Sequence, residues 1–380
     1  MSETIAVESA GPSSSRLRGL LLNRGAAMVY VLVVAVLLAS ISIDRFASTL
    51  TVGFLLLDVI PVLLIAMPMT LIIVSGEIDL SVASIVGLSS ATLGVLWADG
   101  WSMPAAMLAC VAVGVVAGAV NGFLIAVVGL PSLAVTIGTL ALFRGLALVV
   151  IGDDAVADFP REYTRFAISK IGTTGIPVVM VGVVVVVLAF GIVLHLTSFG
   201  RGLFALGHSR EAARFVGIDV DRAKFWLYVS AGVVSAVVGI YWTLRYSSAR
   251  SDNATGLELT VIAGVLLGGV SIFGGRGSVP GVVAAVLLIG TLNYGLRLDR
   301  VSDVVLIIVT GTLLIASVLG PRIGEAISRI RHERRVRAAL PAAGPPPQGA
   351  AADAAPTLSL ESLHPSSDPA PGAANERKQR

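Results

Sequence analysis

The chain has 380 residues, of which 55% are hydrophobic and only 13% are charged, and its mean hydropathy is +0.89. This composition excludes a soluble globular domain, since runs of about 20 apolar residues are typical of helices that span a bilayer. The net charge is only +3, so the placement of the charges is more informative than their sum. The single cysteine, Cys110, lies in an apolar run and excludes an internal disulfide.

Ten apolar runs are predicted to cross the membrane. They must be helices, because backbone groups in lipid have to form hydrogen bonds within their own segment. The runs cover about residues 26–43, 50–74, 80–98, 102–128, 132–150, 175–195, 225–245, 257–273, 278–296 and 301–319. The predicted fold class is therefore an all-α membrane protein with about ten transmembrane helices. Pro61 and Pro68 are expected to kink the second helix.

The chain divides into three parts by composition. Residues 1–25 are a polar, Ser-rich segment, and residues 26–320 form one transmembrane domain. Residues 321–380 form a tail that is predicted to be disordered from about residue 338, since it is rich in Ala, Pro and Ser. The first apolar run is long and lacks a cleavage pattern, so we interpret it as a retained span and not as a signal peptide.

Lysine and arginine are distributed unevenly between the connections. With the N-terminus inside, the inner segments carry Arg16, Arg18, Arg24 and an arginine cluster within residues 322–337. The positive-inside rule then places both termini in the cytoplasm. It also places the polar residues 207–218 on the cytoplasmic side.

Two carboxylates interrupt the apolar pattern after the second run, in the sequence Ser75-Gly-Glu-Ile-Asp-Leu-Ser81. An acid at membrane depth is a candidate functional residue by default. The structural alternative is a short turn in which Asp79 caps the third span. The two interpretations are compatible, because a cap at a broken helix can also line a path.

Two further charged residues fall at or near membrane depth. Arg144 lies inside the fifth run, where its guanidinium needs a partner, and Asp79 and Glu258 are candidates. The alternative is an arginine that snorkels to the interface. Glu258 is either a proton site or an acid stabilised by the positive end of a helix dipole, and we favour the structural role.

The polar segment 207–218 carries the signals of a short helix. Ser209 is a predicted N-cap, Glu211 lies in the first turn and Gly217 fits the left-handed position after the end. About eight residues of free-standing helix are marginal in water, so this helix needs a partner surface. Ala212 and Ala213 would allow a close approach to that surface.

The glycine-rich stretch 268–278 separates the eighth and ninth runs. No strand precedes it and no Lys-Ser/Thr pair follows, so it is not a P-loop. We interpret it as a site of close helix packing and a tight turn, with a hinge at Gly274, Gly275 and Gly277. No residue spacing indicates a metal site or a catalytic group, so the chain is not expected to be an enzyme.

A faint internal repeat relates residues 118–124 to residues 290–296, with Asn121 and Asn293 at equivalent positions. The two segments are five runs apart, which is an odd number. The two halves are therefore predicted to have opposite topology, an inverted repeat found in many transporters.

Together these segments resemble the permease subunits of bacterial ABC importers for monosaccharides, of the ribose, xylose, rhamnose and autoinducer-2 type. Four motifs match in order, at residues 76–82, 131–145, 199–218 and 258–296. The resemblance covers about residues 26–320. Glu77 departs from it, since the family usually has a second glycine there.

The resemblance implies a type II-like importer permease in the bacterial inner membrane. Such permeases pair with a second copy or a homologous permease, and a cytoplasmic ATPase subunit and a periplasmic sugar-binding protein complete the importer. ATP and Mg are used by the ATPase, so this chain itself needs no cofactor, and no nucleic acid is involved.

The resemblance also implies roles for individual residues. The predicted ATPase-coupling residues are Gly207, Arg210, Glu211, Ala212, Ala213, Gly217 and Ile218. The predicted path or gate residues are Asp79, Ser81, Thr136, Arg144, Glu258 and Asn293.

Two other transporter classes remain open from the sequence. An ion-coupled secondary transporter would use Asp79, Glu77 or Glu258 as its titrating site, but it would not need a capped docking helix. A branched-chain amino-acid ABC permease shares the general pattern. The sugar is also left open, although the Phe159-Pro160 loop and the Glu-Ile-Asp variant favour a rhamnose-like or autoinducer-2-like solute.

Overall fold

The computed structural model describes residues 24–215, 217–302, 304–317 and 319. This part of the chain is almost entirely helical, and its only β-type pairings are two isolated bridges. The helices are α1 (Arg24–Ser42), α2 (Thr49–Val74), α3 (Val82–Ala98), α4 (Met103–Gly122), α5 (Ser132–Ile151), α6 (Arg161–Ile168), α7 (Val179–Leu196), α8 (Ser198–His208), α9 (Arg210–Phe215), α10 (Val220–Tyr246), α11 (Leu257–Leu267), α12 (Val279–Leu298) and α13 (Val304–Ser317).

The helices confirm the predicted all-α membrane class. Among the described residues, six helices are long and apolar enough to cross a membrane: α2, α4 with its π-helical end Phe123–Val127, α5, α7, α10 and α12. The other four predicted spans form shorter apolar helices, α1, α3, α11 and α13. The predicted N-terminal segment and the tail lie outside the described residues, apart from Arg24 and Gly25.

The bundle has two central helices and a lipid-facing periphery. Most residues of α2 and α10 are buried, whereas α7 buries only Val183 and Leu194. Because α7 is apolar on every side, its exposed face fits a hydrocarbon environment and not water. The helix α2 continues through both Pro61 and Pro68.

The helix packing follows the same pattern in both halves of the chain. The second span, α2, packs on α11 and α12 of the second half, and the seventh span, α10, packs on α3 and α4 of the first half. The pairs α3–α4 and α11–α12 also pack together, and α2 packs on α10. This reciprocal packing fits a repeat of five spans, and the inverted topology of its two halves stays a prediction.

Two non-helical breaks occupy equivalent positions in the two halves. Residues 75–81 join α2 to the short α3, and residues 247–256 join α10 to the short α11. The second break runs back along α3, since Ala249 lies against Gly94 and Ser251 lies against Gly87. Non-helical backbone between membrane helices is tolerated only where protein or water covers it, so we expect both breaks to have internal hydrogen-bond partners.

Candidate functional site

We call the end of the bundle that carries α9 the docking end. Ser209 separates α8 from α9, and its Oγ accepts a hydrogen bond from the Ala212 N–H at 3.2 Å. Gly217 has a φ of +83°, in the left-handed region. The predicted caps are therefore present, but α9 has six residues where eight were predicted. The helix α8 before it was not predicted from the sequence.

The two alanines of α9 face opposite ways. Ala213 is fully buried with Leu206 and Val220, and Ile218 packs against them. Ala212 is exposed. The prediction that both alanines approach a partner was therefore wrong for Ala213, because the chain itself covers that face.

The exposed face of α9 carries an aromatic residue that the sequence analysis missed. The Phe215 side chain is 92% exposed at the end of the helix. Its neighbours on this surface are Glu211, Ala212 and Arg214, all exposed. Aromatic residues are enriched at the centres of protein interfaces. The available signal was one large apolar residue in an otherwise polar segment.

Gly207 lies in α8 and not in the docking helix. A Cβ on Gly207 would lie under 3.0 Å from the Val74 carbonyl oxygen and from the Gly275 nitrogen. Gly275 in turn donates its N–H to Val74 O at 2.8 Å. The predicted hinge residues Gly274 and Gly275 have φ values of +80° and +72°. We call this contact of α8 with the ends of α2 and of the glycine-rich turn the glycine junction.

Gly277, the third predicted hinge residue, lies just outside the glycine junction. A Cβ on it would meet the side chains of Val74 and Val270 at 3.0 to 3.1 Å. The close packing predicted for this stretch is therefore present. Its movement as a hinge stays a prediction.

The first break carries a buried polar chain. The Asp79 residue is only 1% exposed, and its Oδ1 accepts the Ser81 N–H at 2.9 Å and the Ser81 hydroxyl at 2.7 Å. Asn121 Nδ2 donates to Ser81 Oγ at 2.7 Å. Ser81, not Asp79, occupies the N-cap of α3. Asp79 Oδ2 and Asn121 Oδ1 have no hydrogen-bond partner among the described residues.

Ile78 fixes the same break from two sides. Its N–H donates to Ser132 Oγ at 3.3 Å, and its carbonyl accepts from the hydroxyls of Tyr228 at 3.3 Å and Thr136 at 3.5 Å. Thr136 is fully buried. The predicted path residues Asp79, Ser81 and Thr136 therefore lie together, where they hold the break in place.

Arg144 holds the second break. Its guanidinium donates to the carbonyls of Ser251 at 2.6 Å and Asn253 at 2.9 Å, and to Ala83 O at 3.3 Å. The partner that the sequence analysis expected was a carboxylate. Glu258 lies near enough for its charge to act on Arg144, but no ion pair joins them among the described residues. The carbonyls of a non-helical segment need donors, and Arg144 supplies them.

A cavity of about 250 Å³ lies at the opposite end of the bundle, between α2, α10, α11 and α12. Asn293 lines it, beside Leu257 and Thr260 from the start of α11. Asn121 has the equivalent position beside Ser81 at the start of α3. Asn293 Oδ1 is buried and has no hydrogen-bond partner among the described residues. Of the six predicted path residues, Asn293 lines this cavity.

The rest of the cavity lining combines charged groups with aromatic rings. Asp58 forms an ion pair with Arg245, and Arg297 Nη1 lies 3.6 Å from Asp58 Oδ2. Three aromatic side chains also line the cavity: Trp242, Tyr246 and Tyr294. The Trp242 and Tyr246 ring centroids are 5.4 Å apart.

Asp58 and its partners were missed from the sequence. Asp58 lies ten residues into α2, and a carboxylate at that depth is a recognised functional signal. The pairing itself could not be read, since Asp58 and Arg245 are 187 residues apart. In the described residues, no group of three His, Cys, Asp or Glu side chains could hold a metal ion.

Comparisons with known proteins agree on the class. Residues 51–318 match the family described as branched-chain amino acid transport system / permease component. The autoinducer 2 import system permease protein LsrD of Photorhabdus temperata is 34% identical over 315 residues, which are 81% of this chain and 93% of that protein. No solved structure matches the chain significantly.

Further LsrD proteins show the same similarity. The protein of Salmonella typhimurium strain LT2 is 35% identical over 73% of this chain and 83% of its own length. The LsrD protein of Escherichia coli O9:H4 strain HS is 36% identical over 75% of this chain and 88% of its own length. These matches confirm the resemblance to importer permeases that the motifs indicated.

Proposed function

Because this chain belongs to the family of branched-chain amino acid transport system permease components, we propose that it is the membrane subunit of an ATP-driven importer for autoinducer 2 or a similar small sugar. The substrate is inferred from the names of its relatives and from the chemistry of the cavity. The family description leaves an amino-acid substrate as the alternative. The chain is a non-enzymatic transport component of the inner membrane.

The cavity is the observation that carries the substrate proposal. Its volume of about 250 Å³ lies below the roughly 300–1,000 Å³ typical of pockets for drug-sized ligands. A solute of one small ring fits this size. Aromatic faces pack against the apolar face of a sugar ring, and Asn293, Thr260 and Arg245 can bond its hydroxyls.

The same lining disfavours an amino-acid substrate. A carboxylate without another partner is the strongest site for the ammonium group of an amino acid. Asp58 is the only carboxylate in the described lining, and Arg245 and Arg297 already engage it. A neutral polyol needs no such free charge, so the cavity favours the sugar.

The exposed face of α9 is the proposed docking surface for the cytoplasmic ATPase. Phe215 is its apolar anchor, and the exposed residues Glu211, Ala212 and Arg214 lie beside it, whereas Arg210 turns to Glu77. This assignment places both termini in the cytoplasm. It also leaves the cavity end to a periplasmic binding protein that delivers the solute, and a second permease chain completes the membrane part.

In the proposed mechanism, a movement of the docking end changes the positions of the two breaks. ATP binding and hydrolysis in the partner, with Mg, would shift α9 and α8 together. The glycine junction passes that shift to the end of α2 and to the 274–277 turn. The two breaks, held by Thr136, Asp79 and Arg144, then rearrange and change access to the path.

Replacing Trp242 with alanine tests the solute site. The loss of its ring should remove a stacking contact with the solute worth about 1.4 kcal/mol. That loss corresponds to about tenfold lower uptake at saturating binding protein. Trp242→Phe should keep most of the activity. Uptake of labelled autoinducer 2, of pentoses and of leucine is measured in cells that express the whole importer.

Trp226→Ala is the matched control, because this exposed tryptophan lies on the same helix about 24 Å away by helical rise. It should leave the solute preference unchanged. Uptake of leucine without uptake of any sugar would overturn the substrate proposal. Equal uptake by Trp242→Ala and the wild type would remove the cavity from the path.

A further inference from the structure

A cluster of three charged residues joins the docking helix to the first break. Glu77 forms ion pairs with Lys224 of α10 and with Arg210 of α9, the latter at 3.1 Å. The Lys224 side chain is 2% exposed and the Glu77 side chain 12%, whereas the Arg210 side chain is 53% exposed. The two arms of the cluster therefore differ in environment.

This difference sets the strength of each arm. A buried ammonium without a partner is strongly unfavourable, so Lys224 keeps Glu77 in place. The exposed arm is screened by water and contributes little to stability. Arg210 can therefore leave and rejoin Glu77 as α9 moves, while Lys224 cannot.

Glu77 is also continuous in sequence with the buried polar chain of the first break. Ile78 follows it and is fixed by Ser132 and Tyr228. Asp79 comes next and bonds Ser81, which Asn121 contacts from α4. A displacement at Glu77 reaches the start of α3 through four residues of non-helical backbone.

We propose that Glu77 is a positioning residue that couples the docking helix to the first break. Lys224 holds the Glu77 carboxylate in place. Arg210 contacts the same carboxylate from α9, so a movement of α9 changes that contact. The inference rests on the proposed ATPase docking at α9. A glycine at this position, as in the motif that the segment resembles, would have no such connection.

The test separates coupling from stability with two variants. Glu77→Gln leaves Lys224 buried and unpaired, so the amount of this variant chain in the membrane should fall. Glu77→Gln combined with Lys224→Met removes both buried charges, and its amount should return to the wild-type level. The double variant still lacks the carboxylate that Arg210 contacts.

The readout is solute transported per ATP hydrolysed, with copurified ATPase measured in parallel. The double variant should copurify with the ATPase but transport at least about fivefold less solute per ATP. A wild-type ratio in that variant would overturn the proposal and leave Glu77 a purely structural role. If the wild-type chain copurifies no ATPase, the proposed function fails instead.

A second variant keeps the proposal testable should the double variant fail to fold. Arg210→Ala removes only the exposed arm, and it should also lower the ratio of solute to ATP. Arg210→Lys retains the charge and should restore part of that ratio. An unchanged ratio in Arg210→Ala would contradict the proposal.

Discussion

Replacing Phe215 with alanine should remove most of the ATPase that copurifies with this chain. The Phe215 side chain is 92% exposed on a capped surface helix, and interface anchors of this kind are each worth about 2 kcal/mol or more. That corresponds to a roughly 30-fold loss of affinity. The measurement is the amount of ATPase recovered with the tagged chain from detergent-solubilised membranes.

Phe166→Ala is the matched control, since this phenylalanine is 60% exposed on α6 at the opposite end. It should leave ATPase recovery unchanged. Ala212→Asp should act like Phe215→Ala, because it places a charge on the same exposed face. Ala213→Asp should instead lower the amount of folded chain, because Ala213 is buried inside it. Full recovery of ATPase with Phe215→Ala and Ala212→Asp would remove α9 as the docking site.

Gly207→Ala should disrupt transport severely by adding a single methyl group. That methyl would lie under 3.0 Å from the backbone atoms Val74 O and Gly275 N, which cannot move aside as a flexible side chain can. Overpacking of this kind costs about 1–3 kcal/mol, and more where backbone must shift. The glycine junction should open, with a lower melting temperature of the purified chain and a loss of uptake.

Gly182→Ala is the comparison for this experiment. Gly182 is also helical, in α7, and nothing lies within 4 Å of a Cβ built on it. Alanine is the better helix former by about 1 kcal/mol, so this variant should be as stable as the wild type or more stable. A wild-type melting temperature and wild-type uptake for Gly207→Ala would mean that α8 does not pack closely on the end of α2 and the 274–277 turn.

The local signals of the chain were readable from sequence. Each apolar run predicts a helix by itself, and Ser209 and Gly217 mark the limits of the docking helix through chemistry that acts within a few residues. The repeat was predicted from a local signal as well. Asn121 and Asn293 keep their sequence context, and the structure places each one beside the start of a short helix.

The pairings between distant segments could not be read in this way. A helix that is apolar on every side, such as α7, has no polar stripe to show which face is buried. The helix α9 is too short to show a stripe, so the burial of Ala213 depends on its packing against Leu206 and Val220. Arg144 binds carbonyls of a break that follows more than 100 residues later, and any residue can supply a carbonyl. Glu77 and Lys224 meet across 147 residues, where sequence spacing carries no information.

We propose that this chain transports a sugar-like solute with energy from a partner ATPase. The most direct measurement is uptake into liposomes that contain the tagged chain together with the proteins that copurify with it. We expect a copurifying ATPase with P-loops, and uptake of autoinducer 2 or a similar sugar that requires both ATP and a loaded binding protein. A chain that is recovered alone and takes up solute with a proton gradient and no ATP would contradict it.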